Sequence, residues 1–233
     1  AKEVKAQFDK RGFRVSAIGS PIGKINITDS YDDDLKLFAH VLDLADVFET
    51  GYIRIFSCLL PEGDDPKKHR DEVLRRMGGY VNAARDRDVI LLHENEGGGI
   101  YGQSPKGCLD IFESVGSEKL RATFDPGNFV YAGFDALEAY EILENFIEYV
   151  HIKDSVGNKV IVPAGHGKVQ FSEIFNRLKR TGKSYFLSLE PHLSSFEGFA
   201  QIDGGNVELK KGNNKEKFIM AFNCLKDLVD DVQ

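Results

Sequence analysis

Short apolar runs, typical of buried strands, alternate along the chain with longer stretches of helical periodicity. Strand alternating with helix predicts a parallel sheet covered by helices, which is the α/β class. The predicted strands are 13–19, 52–58, 89–94, 121–125, 149–153 and 185–190, and the predicted helices are 2–11, 32–49, 66–87, 105–115, 135–147, 171–181 and 214–231.

Four of the predicted strands end in residue types that bind metal ions: Glu94, Asp125, His151 and Glu190. The intervals between them are 31, 26 and 39 residues. Each interval suits one strand–helix unit, which takes roughly thirty residues. Because parallel strands point the same way, residues at their C-terminal ends converge on one mouth, where barrel enzymes build their sites. The spacing therefore predicts that these four side chains lie together.

Three carboxylates and one imidazole form an oxygen-rich ligand set that has a charge of about −3 before a metal binds. Such a set repels itself in a partly dry cavity unless a divalent cation lies inside it. Oxygen ligands with one nitrogen suit Mn²⁺ or Mg²⁺, with Co²⁺, Fe²⁺ and Zn²⁺ as alternatives, and no thiolate points to structural zinc. We expect one divalent metal ion as the cofactor.

The segments HENEGGGIYG, FDPGNF, HIKD, PAGHG and SLEPHL resemble the xylose isomerase-like family of TIM barrels, the sugar phosphate isomerases and epimerases. The resemblance extends from about Phe13 to the C-terminal helix. It implies a (β/α)8 TIM barrel whose metal is held at the ends of the fifth to eighth strands. It also makes a homo-oligomer an expectation. The implied metal ligands match Glu94, Asp125, His151 and Glu190.

Six predicted strands do not close an eight-stranded barrel. We expect a single domain over residues 1–233, a TIM barrel that lacks its first two strand–helix units in this chain, with 13–19 as the third strand. An open, doubly wound sheet of six strands is the alternative. If the sheet stayed open, the strands at 13–19 and 185–190 would be apolar edges, which promote association.

The resemblance also implies a reaction. Ketose epimerases of this kind use their two metal-binding glutamates as acid–base groups on opposite faces of the substrate, roles that Glu94 and Glu190 would have here. One takes the proton next to the carbonyl, the metal stabilises the enediolate that forms, and the other returns a proton. The expected activity is a metal-dependent isomerase or epimerase of a sugar or sugar phosphate. The alternative is a dehydratase (hydro-lyase) of a polyol or inosose-like substrate.

Two positions depart from the ketose-epimerase pattern. Asn128 stands where a histidine is usual, although it can still bond a sugar hydroxyl, and Ser-Val-Gly at 155–157 stands where an arginine is usual. Alternation of side chains along strands, or position in a loop, brings further polar groups to the mouth. The expected substrate contacts are Arg54, Asn128, Lys153, His166 and His192; Lys24 is expected to be a solvated loop lysine and His93 a structural residue turned towards the helices.

Composition opposes several other classes of protein. A formal net charge of −7 opposes a nucleic-acid surface. No apolar run of about eighteen residues and no signal-peptide pattern is present, and the three cysteines are scattered, so we expect a cytoplasmic protein without membrane contact. A multi-metal endonuclease, which needs more histidines than the six present, and a non-catalytic sugar-binding protein, which need not retain all four ligands, are the remaining alternatives.

Overall fold

Helices and strands alternate from residue 2 onward in the structure, a computed structural model that describes residues 1–193 and 214–232. The strands are β1 (Ile18–Gly19), β2 (Tyr52–Ile55), β3 (Ile90–Glu94), β4 (Leu120–Phe124), β5 (Ile147–Ile152), β6 (Asp154–Gly157), β7 (Val160–Val162) and β8 (Phe186–Leu189). The helices are α1 (Lys2–Lys10), α2 (Tyr31–Phe48), α3 (Arg70–Ala83), α4 (Pro105–Val115), α5 (Pro126–Tyr131), α6 (Ala136–Leu143), α7 (Phe171–Arg180) and α8 (Asn214–Asp230).

Six of the strands form one sheet, in the order β1-β2-β3-β4-β5-β8. The pairs β1–β2, β2–β3 and β3–β4 are parallel, with Ile53 opposite Leu91 in the middle pair. Parallel strands that are covered on both faces are apolar almost throughout, and β3 is buried from Leu91 to its end. The predicted α/β class with a parallel sheet is confirmed.

Several predicted boundaries were wrong. The strand expected at 13–19 is only Ile18–Gly19, because its ladder with β2 covers two residues. The helix expected at 66–87 is divided into a 3₁₀ turn at Pro66–His69 and α3, which ends at Ala83. The antiparallel pair of β6 and β7 was not predicted. Neither was α5, although Asp125 followed by proline is a recognisable helix start.

Internal contacts divide the chain into two compact units. The first comprises residues 1–124 and 142–149, and the second comprises residues 125–141 and the described residues from 150 onward. Large buried side chains of the first unit include Phe38, Ile53, Met77, Tyr80 and Ile111. Those of the second include Phe129, Tyr140, Ile152, Phe171 and Ile174. The expectation of a single domain over residues 1–233 stays a prediction.

The described residues contain no membrane-spanning helix and no disulfide. Within the described ranges, every helix is too short or too polar to cross a membrane. Cys58, Cys108 and Cys224 are free thiols, and the first two are buried. The cysteines therefore pack as side chains of the core or its border and form no disulfide.

A buried carboxylate organises the loop after β7. Asp154 is fully buried and accepts hydrogen bonds from the backbone N–H groups of Ser155, Gly165, Gly167 and Val169 at 2.8–3.1 Å. Burial raises the pKa of Asp154, and the four N–H donors oppose that shift. A side chain at Gly167 would collide with Asp154 Oδ1. The loop is therefore held against the start of β6 by one side chain.

Replacing Asp154 with alanine would leave four backbone N–H groups without their acceptor. We expect Asp154→Ala to lower the free energy of unfolding by about 3–5 kcal/mol, the range for removing one partner of a buried charge interaction. Urea denaturation measures the loss. The control is Asp86→Ala, which removes an exposed carboxylate and should cost less than about 0.5 kcal/mol. Similar losses in the two variants would contradict the role given to Asp154.

Candidate metal centre

Each of the four predicted metal ligands lies at the C-terminal end of a strand. Glu94 is the last residue of β3, His151 is the next-to-last residue of β5, Asp125 directly follows β4, and Glu190 directly follows β8. One ligand atom from each lies within 4.8 Å of the others, and all but Glu190 are buried. These four residues, called the ligand cluster below, are brought together by the fold.

The dimensions and donors of the ligand cluster fit one divalent ion. Ligand atoms lie about 2.0–2.2 Å from Mg²⁺ or Zn²⁺ and about 2.3–2.6 Å from Ca²⁺, so opposite ligands are about 4–5 Å apart. The 4.8 Å spread of the ligand cluster is within that range. Three carboxylates and one imidazole are donors that Mn²⁺, Mg²⁺ and Zn²⁺ accept. The ligand cluster can therefore hold a metal ion, and its donors do not single out one metal.

A buried lysine contacts the same carboxylates. Lys153 Nζ donates to Asp125 Oδ2 at 2.9 Å, to Glu190 Oε2 at 2.8 Å and to Asn128 Oδ1 at 3.2 Å. Burial alone would lower the pKa of Lys153, but Asp125 and Glu190 outweigh burial and raise it above the usual lysine value. Lys153 therefore stays positively charged. The adjacent carboxylate of Asp154 accepts hydrogen bonds from the loop after β7 instead.

Glu190 is kept ionised by its neighbours. Burial alone would raise the pKa of Glu190, but His151 and Lys153 hold it well below the usual range of a glutamate. His151 Nδ1 lies 3.5 Å from Glu190 Oε2, and the exposed His192 places Nε2 3.8 Å from Glu190 Oε1. A metal-binding carboxylate must be deprotonated, and Glu190 is held in that form.

Glu94 has an arginine as its partner. Arg54 Nη1 lies 3.0 Å from Glu94 Oε2, and the Arg54 guanidinium lies 4.8 Å from the ring centre of Phe56. The strand β2 thus presents Arg54 to a glutamate of the ligand cluster. Two residues beyond Glu94, Glu96 accepts a hydrogen bond from Lys24 Nζ at 2.7 Å. The sequence suggested that Lys24 is a solvated loop lysine, whereas in the structure it forms an ion pair with Glu96.

Arg54 and Lys153 offset most of the negative charge of the ligand cluster. The ligand cluster has three carboxylates, and two fixed cations, Arg54 and Lys153, contact them, which leaves a net charge of −1. The ligand charge of −3 is therefore largely offset before any metal binds. The carboxylates therefore repel one another less than the sequence suggested, and a metal ion is supported mainly by the geometry and the donor types of the ligand cluster.

The remaining predicted contact residues differ in their distance from the ligand cluster. Asn128 is buried at the start of α5, where its N–H donates to Asp125 Oδ1 at 2.8 Å. His166 is exposed on the loop after β7 and, among the described residues, forms no ion pair or side-chain hydrogen bond with the ligand cluster. His93, expected to be structural, packs edge-on against Phe112 of α4, with ring centres 5.9 Å apart.

An apolar cavity of about 250 Å³ between α7, β8 and α8 is a separate feature. Its walls include Phe175, Leu178, Leu187 and Val229, with Lys179 and Lys183 as the charged groups. The described residues that line it include neither a carboxylate nor an imidazole. The cavity lacks groups for acid–base or metal chemistry, so the ligand cluster is the better candidate for the functional site.

Comparison with known proteins identifies the family. Residues 1–211 match the family described as "Xylose isomerase-like TIM barrel". The chain belongs to the xylose isomerase-like TIM barrel family. The resemblance seen in the sequence motifs is confirmed, and the open, doubly wound sheet is set aside. The lack of two barrel units in this chain stays a prediction.

A curated relative in sequence is an uncharacterized protein from Methanocaldococcus jannaschii, 33% identical over 126 residues. The match covers 52% of this chain and 43% of the relative. This xylose isomerase-like chain thus spans less than half the length of the curated relative that it matches. The relative supports common ancestry and brings no activity with it.

Solved structures with low sequence identity share the fold. A D-tagatose 3-epimerase-like protein superposes with a TM-score of 0.75 at 20% identity, over 99% of this chain and 82% of that chain. The IOLI protein with a bound zinc atom superposes with a TM-score of 0.78 at 13% identity, over 100% of this chain and 82% of that chain. The probable 3-DHS dehydratase AsbF from Bacillus anthracis superposes with a TM-score of 0.67 at 18% identity, over 81% of this chain and 74% of that chain. The predicted TIM-barrel class is therefore confirmed.

Asp125→Asn tests whether the ligand cluster binds metal. Asparagine still caps α5 but supplies a neutral oxygen, so we expect the affinity for Mn²⁺ to fall by at least about 10–100-fold. Isothermal titration of metal-free protein measures the affinity. Glu96→Gln is the control, because Glu96 pairs with Lys24 outside the ligand cluster. Equal Mn²⁺ affinity in wild type and Asp125→Asn would contradict the assignment.

His93 makes stability depend on pH. Burial lowers the pKa of His93 to about 4, against about 6.5 in an unfolded chain. As pH falls below about 6.5, His93 binds a proton in the unfolded chain but stays neutral in the folded chain. The free energy of unfolding therefore drops by about 3 kcal/mol by pH 4.

His93→Leu should remove that contribution. The difference in unfolding free energy between pH 7 and pH 4, measured by urea denaturation of metal-free protein, should be about 3 kcal/mol smaller than in wild type. His40→Leu is the control, because His40 is exposed and should leave the difference unchanged. A pH dependence in His93→Leu equal to that of wild type would refute this account.

Proposed function

We propose that the protein is a divalent-metal-dependent isomerase or epimerase that moves a proton on a carbon next to the carbonyl of a sugar or sugar phosphate. The observation that carries the proposal is the ligand cluster, in which Glu94 and Glu190 approach a common centre beside Asp125 and His151. Membership of the xylose isomerase-like family supports it. So does the fold shared with a D-tagatose 3-epimerase-like protein.

In this proposal, all four residues of the ligand cluster would hold the ion. A bound divalent ion would polarise the carbonyl oxygen of the substrate and make the neighbouring C–H more acidic. Mn²⁺ and Mg²⁺ are the preferred ions on donor type, with Co²⁺, Fe²⁺ and Zn²⁺ as alternatives. The zinc atom in the IOLI structure keeps zinc among the candidates.

Glu94 and Glu190 are the proposed acid–base pair. One glutamate takes the proton from the α-carbon, and the electrons of that C–H bond move towards the carbonyl oxygen to give an enediolate. The other glutamate adds a proton, on the opposite face of the same carbon in epimerisation or at the neighbouring carbon in isomerisation. The low pKa of Glu190 keeps it deprotonated and able to accept a proton. It also makes Glu190 a weak base, so the C–H must be acidified.

The side chains around the glutamates are the proposed substrate contacts. Arg54 and His192 lie beside Glu94 and Glu190, where they can bond substrate oxygens. Asn128 offers an amide at the start of α5. Lys153 would act on the substrate through its positive charge, because its three N–H donors already bond Asp125, Asn128 and Glu190. His166 remains a proposed contact from the rim.

A dehydratase is the second candidate. An enediolate that carries a hydroxyl group on the next carbon can expel that group, with a proton, as water. Two observations favour this reaction: the fold shared with a probable 3-DHS dehydratase, and Asn128 in the position where ketose epimerases tend to have a histidine. The same metal frame serves both reactions.

The wider setting of the protein is also a proposal. We propose a small carbohydrate as its partner, a homo-oligomer as its assembly and the cytoplasm as its location. The negative net charge opposes a nucleic-acid partner.

Exchange of substrate hydrogen with D₂O tests the proposal. Metal-loaded protein is incubated with ketoses and their phosphates, and NMR and mass spectrometry follow deuterium at the α-carbon. We expect deuterium uptake by wild type, and a rate about 10²–10⁴-fold lower in Glu94→Gln, which cannot transfer the proton. Glu96→Gln, which changes a glutamate outside the ligand cluster, should retain activity.

The products separate the two candidate reactions. Deuterium uptake without loss of water indicates an isomerase or epimerase, whereas loss of water indicates the dehydratase. Wild-type protein that exchanges no α-hydrogen with any metal and substrate would contradict both. Glu94→Gln that exchanges as fast as wild type would contradict the role given to Glu94.

A further inference from the structure

The ammonium group of Lys153 lies against two of the carboxylates that would bind the metal ion. Its Nζ is 2.9 Å from Asp125 Oδ2 and 2.8 Å from Glu190 Oε2, and Asn128 Oδ1 accepts its third hydrogen bond at 3.2 Å. A lysine ammonium has three N–H donors. All three are therefore used by neighbouring side chains.

Lys153 is an internal part of the site and not a surface lysine. Its side chain is 3% exposed, and that of Asp125 is 0% exposed. A buried charge without a partner is costly, so the ammonium is stable here because carboxylates contact it. Equally, Asp125 and Glu190 would repel each other more strongly without it. The ammonium and the carboxylates depend on one another in the metal-free protein.

A divalent ion in the ligand cluster needs oxygen atoms that already have partners. Asp125 Oδ1 accepts the backbone N–H of Asn128 at 2.8 Å, and Oδ2 accepts Lys153. Glu190 Oε2 accepts Lys153 and lies 3.5 Å from His151 Nδ1. Carboxylate oxygens retain lone pairs for a metal, but an ion bound there lies close to a fixed positive charge, which repels it.

We propose that Lys153 competes with the divalent ion for Asp125 and Glu190, so that it weakens metal binding and keeps the metal-free site assembled. The inference rests on the proposed function in one respect, namely that the ligand cluster is the metal site. Without metal, the ammonium neutralises the two carboxylates. With metal, the two cations share them, and the ion is held loosely enough to exchange.

Neutral variants of Lys153 test this competition. Lys153→Gln removes the charge but keeps N–H donors for the carboxylates, and Lys153→Met removes both. We expect each to bind Mn²⁺ at least about tenfold more tightly than wild type, because the repelling charge is gone. Isothermal titration of chelator-treated protein measures the affinities. Both variants binding Mn²⁺ no more tightly than wild type would overturn the proposal.

Lys168→Gln is the matched control. It removes the same charge from the loop after β7, where Lys168 is exposed and its Nζ lies beside Gly157. Because exposed charges are screened by salt, Mn²⁺ affinity should stay within about twofold of wild type. A tightening in Lys168→Gln equal to that in Lys153→Gln would show a general charge effect and overturn the specific role of Lys153.

Thermal unfolding covers the case in which a variant folds poorly. Metal-free Lys153→Met should melt below wild type, because Asp125 and Glu190 lose their counter-ion, and Mn²⁺ should raise its melting temperature by more than it raises that of wild type. Folding of Lys153→Met only with Mn²⁺ present would support the proposal. A rise with Mn²⁺ no larger than in wild type would count against it.

Failure of this inference and failure of the proposed function give different results. If wild type binds Mn²⁺ and exchanges substrate hydrogen, but Lys153→Gln binds Mn²⁺ with the same affinity as wild type, only the inference about Lys153 is overturned. Binding of Mn²⁺ by Lys153→Gln but not by wild type supports the inference and removes the metal-dependent activity. Binding by neither overturns both.

Discussion

The concentration of negative charge at the strand ends is the constraint on which the rest of the site depends. Carboxylates that are buried close together raise the free energy of the folded state unless cations accompany them. The chain provides two of these cations itself: Arg54 beside Glu94, and Lys153 beside Asp125 and Glu190. The ligand cluster can therefore form without a metal ion, and binding of an ion would be a separate step with its own free energy.

The two glutamates of the ligand cluster differ in their exposure and in their neighbours. Glu94 has a side chain that is 3% exposed and lies against the guanidinium of Arg54, a cation that cannot lose its proton. Glu190 is more open, at 26% exposed, and lies near two imidazoles and an ammonium. In the proposed reaction, Glu190 is therefore the more accessible of the two acid–base groups.

Predictions from the sequence succeeded where local pattern determines structure. The ends of apolar runs located Glu94, Asp125, His151 and Glu190, because the direction of parallel strands converts position along the chain into position in space. Alternation along β3 likewise gave the opposite directions of His93 and Glu94. These rules use only the order of polar and apolar residues, so a single sequence is enough to apply them.

The predictions that failed depend on partners far along the chain. The length of β1 is set by its ladder with β2, and no property of residues 13–17 reveals it. Lys24 pairs with Glu96, 72 residues away. Asp154 accepts hydrogen bonds from backbone N–H groups of a later loop. Since every residue except proline has a backbone N–H group, the sequence does not indicate which of them will bond Asp154. Tertiary contacts, and not local preference, decide such features.

Anomalous diffraction would show whether Glu94, Asp125, His151 and Glu190 bind one divalent ion. Crystals grown with Mn²⁺ would be measured at the manganese absorption edge. We expect one strong anomalous peak with an atom of each of the four side chains about 2.0–2.3 Å from it. A peak bound elsewhere, or four side chains too far apart to share an ion at saturating Mn²⁺, would contradict it.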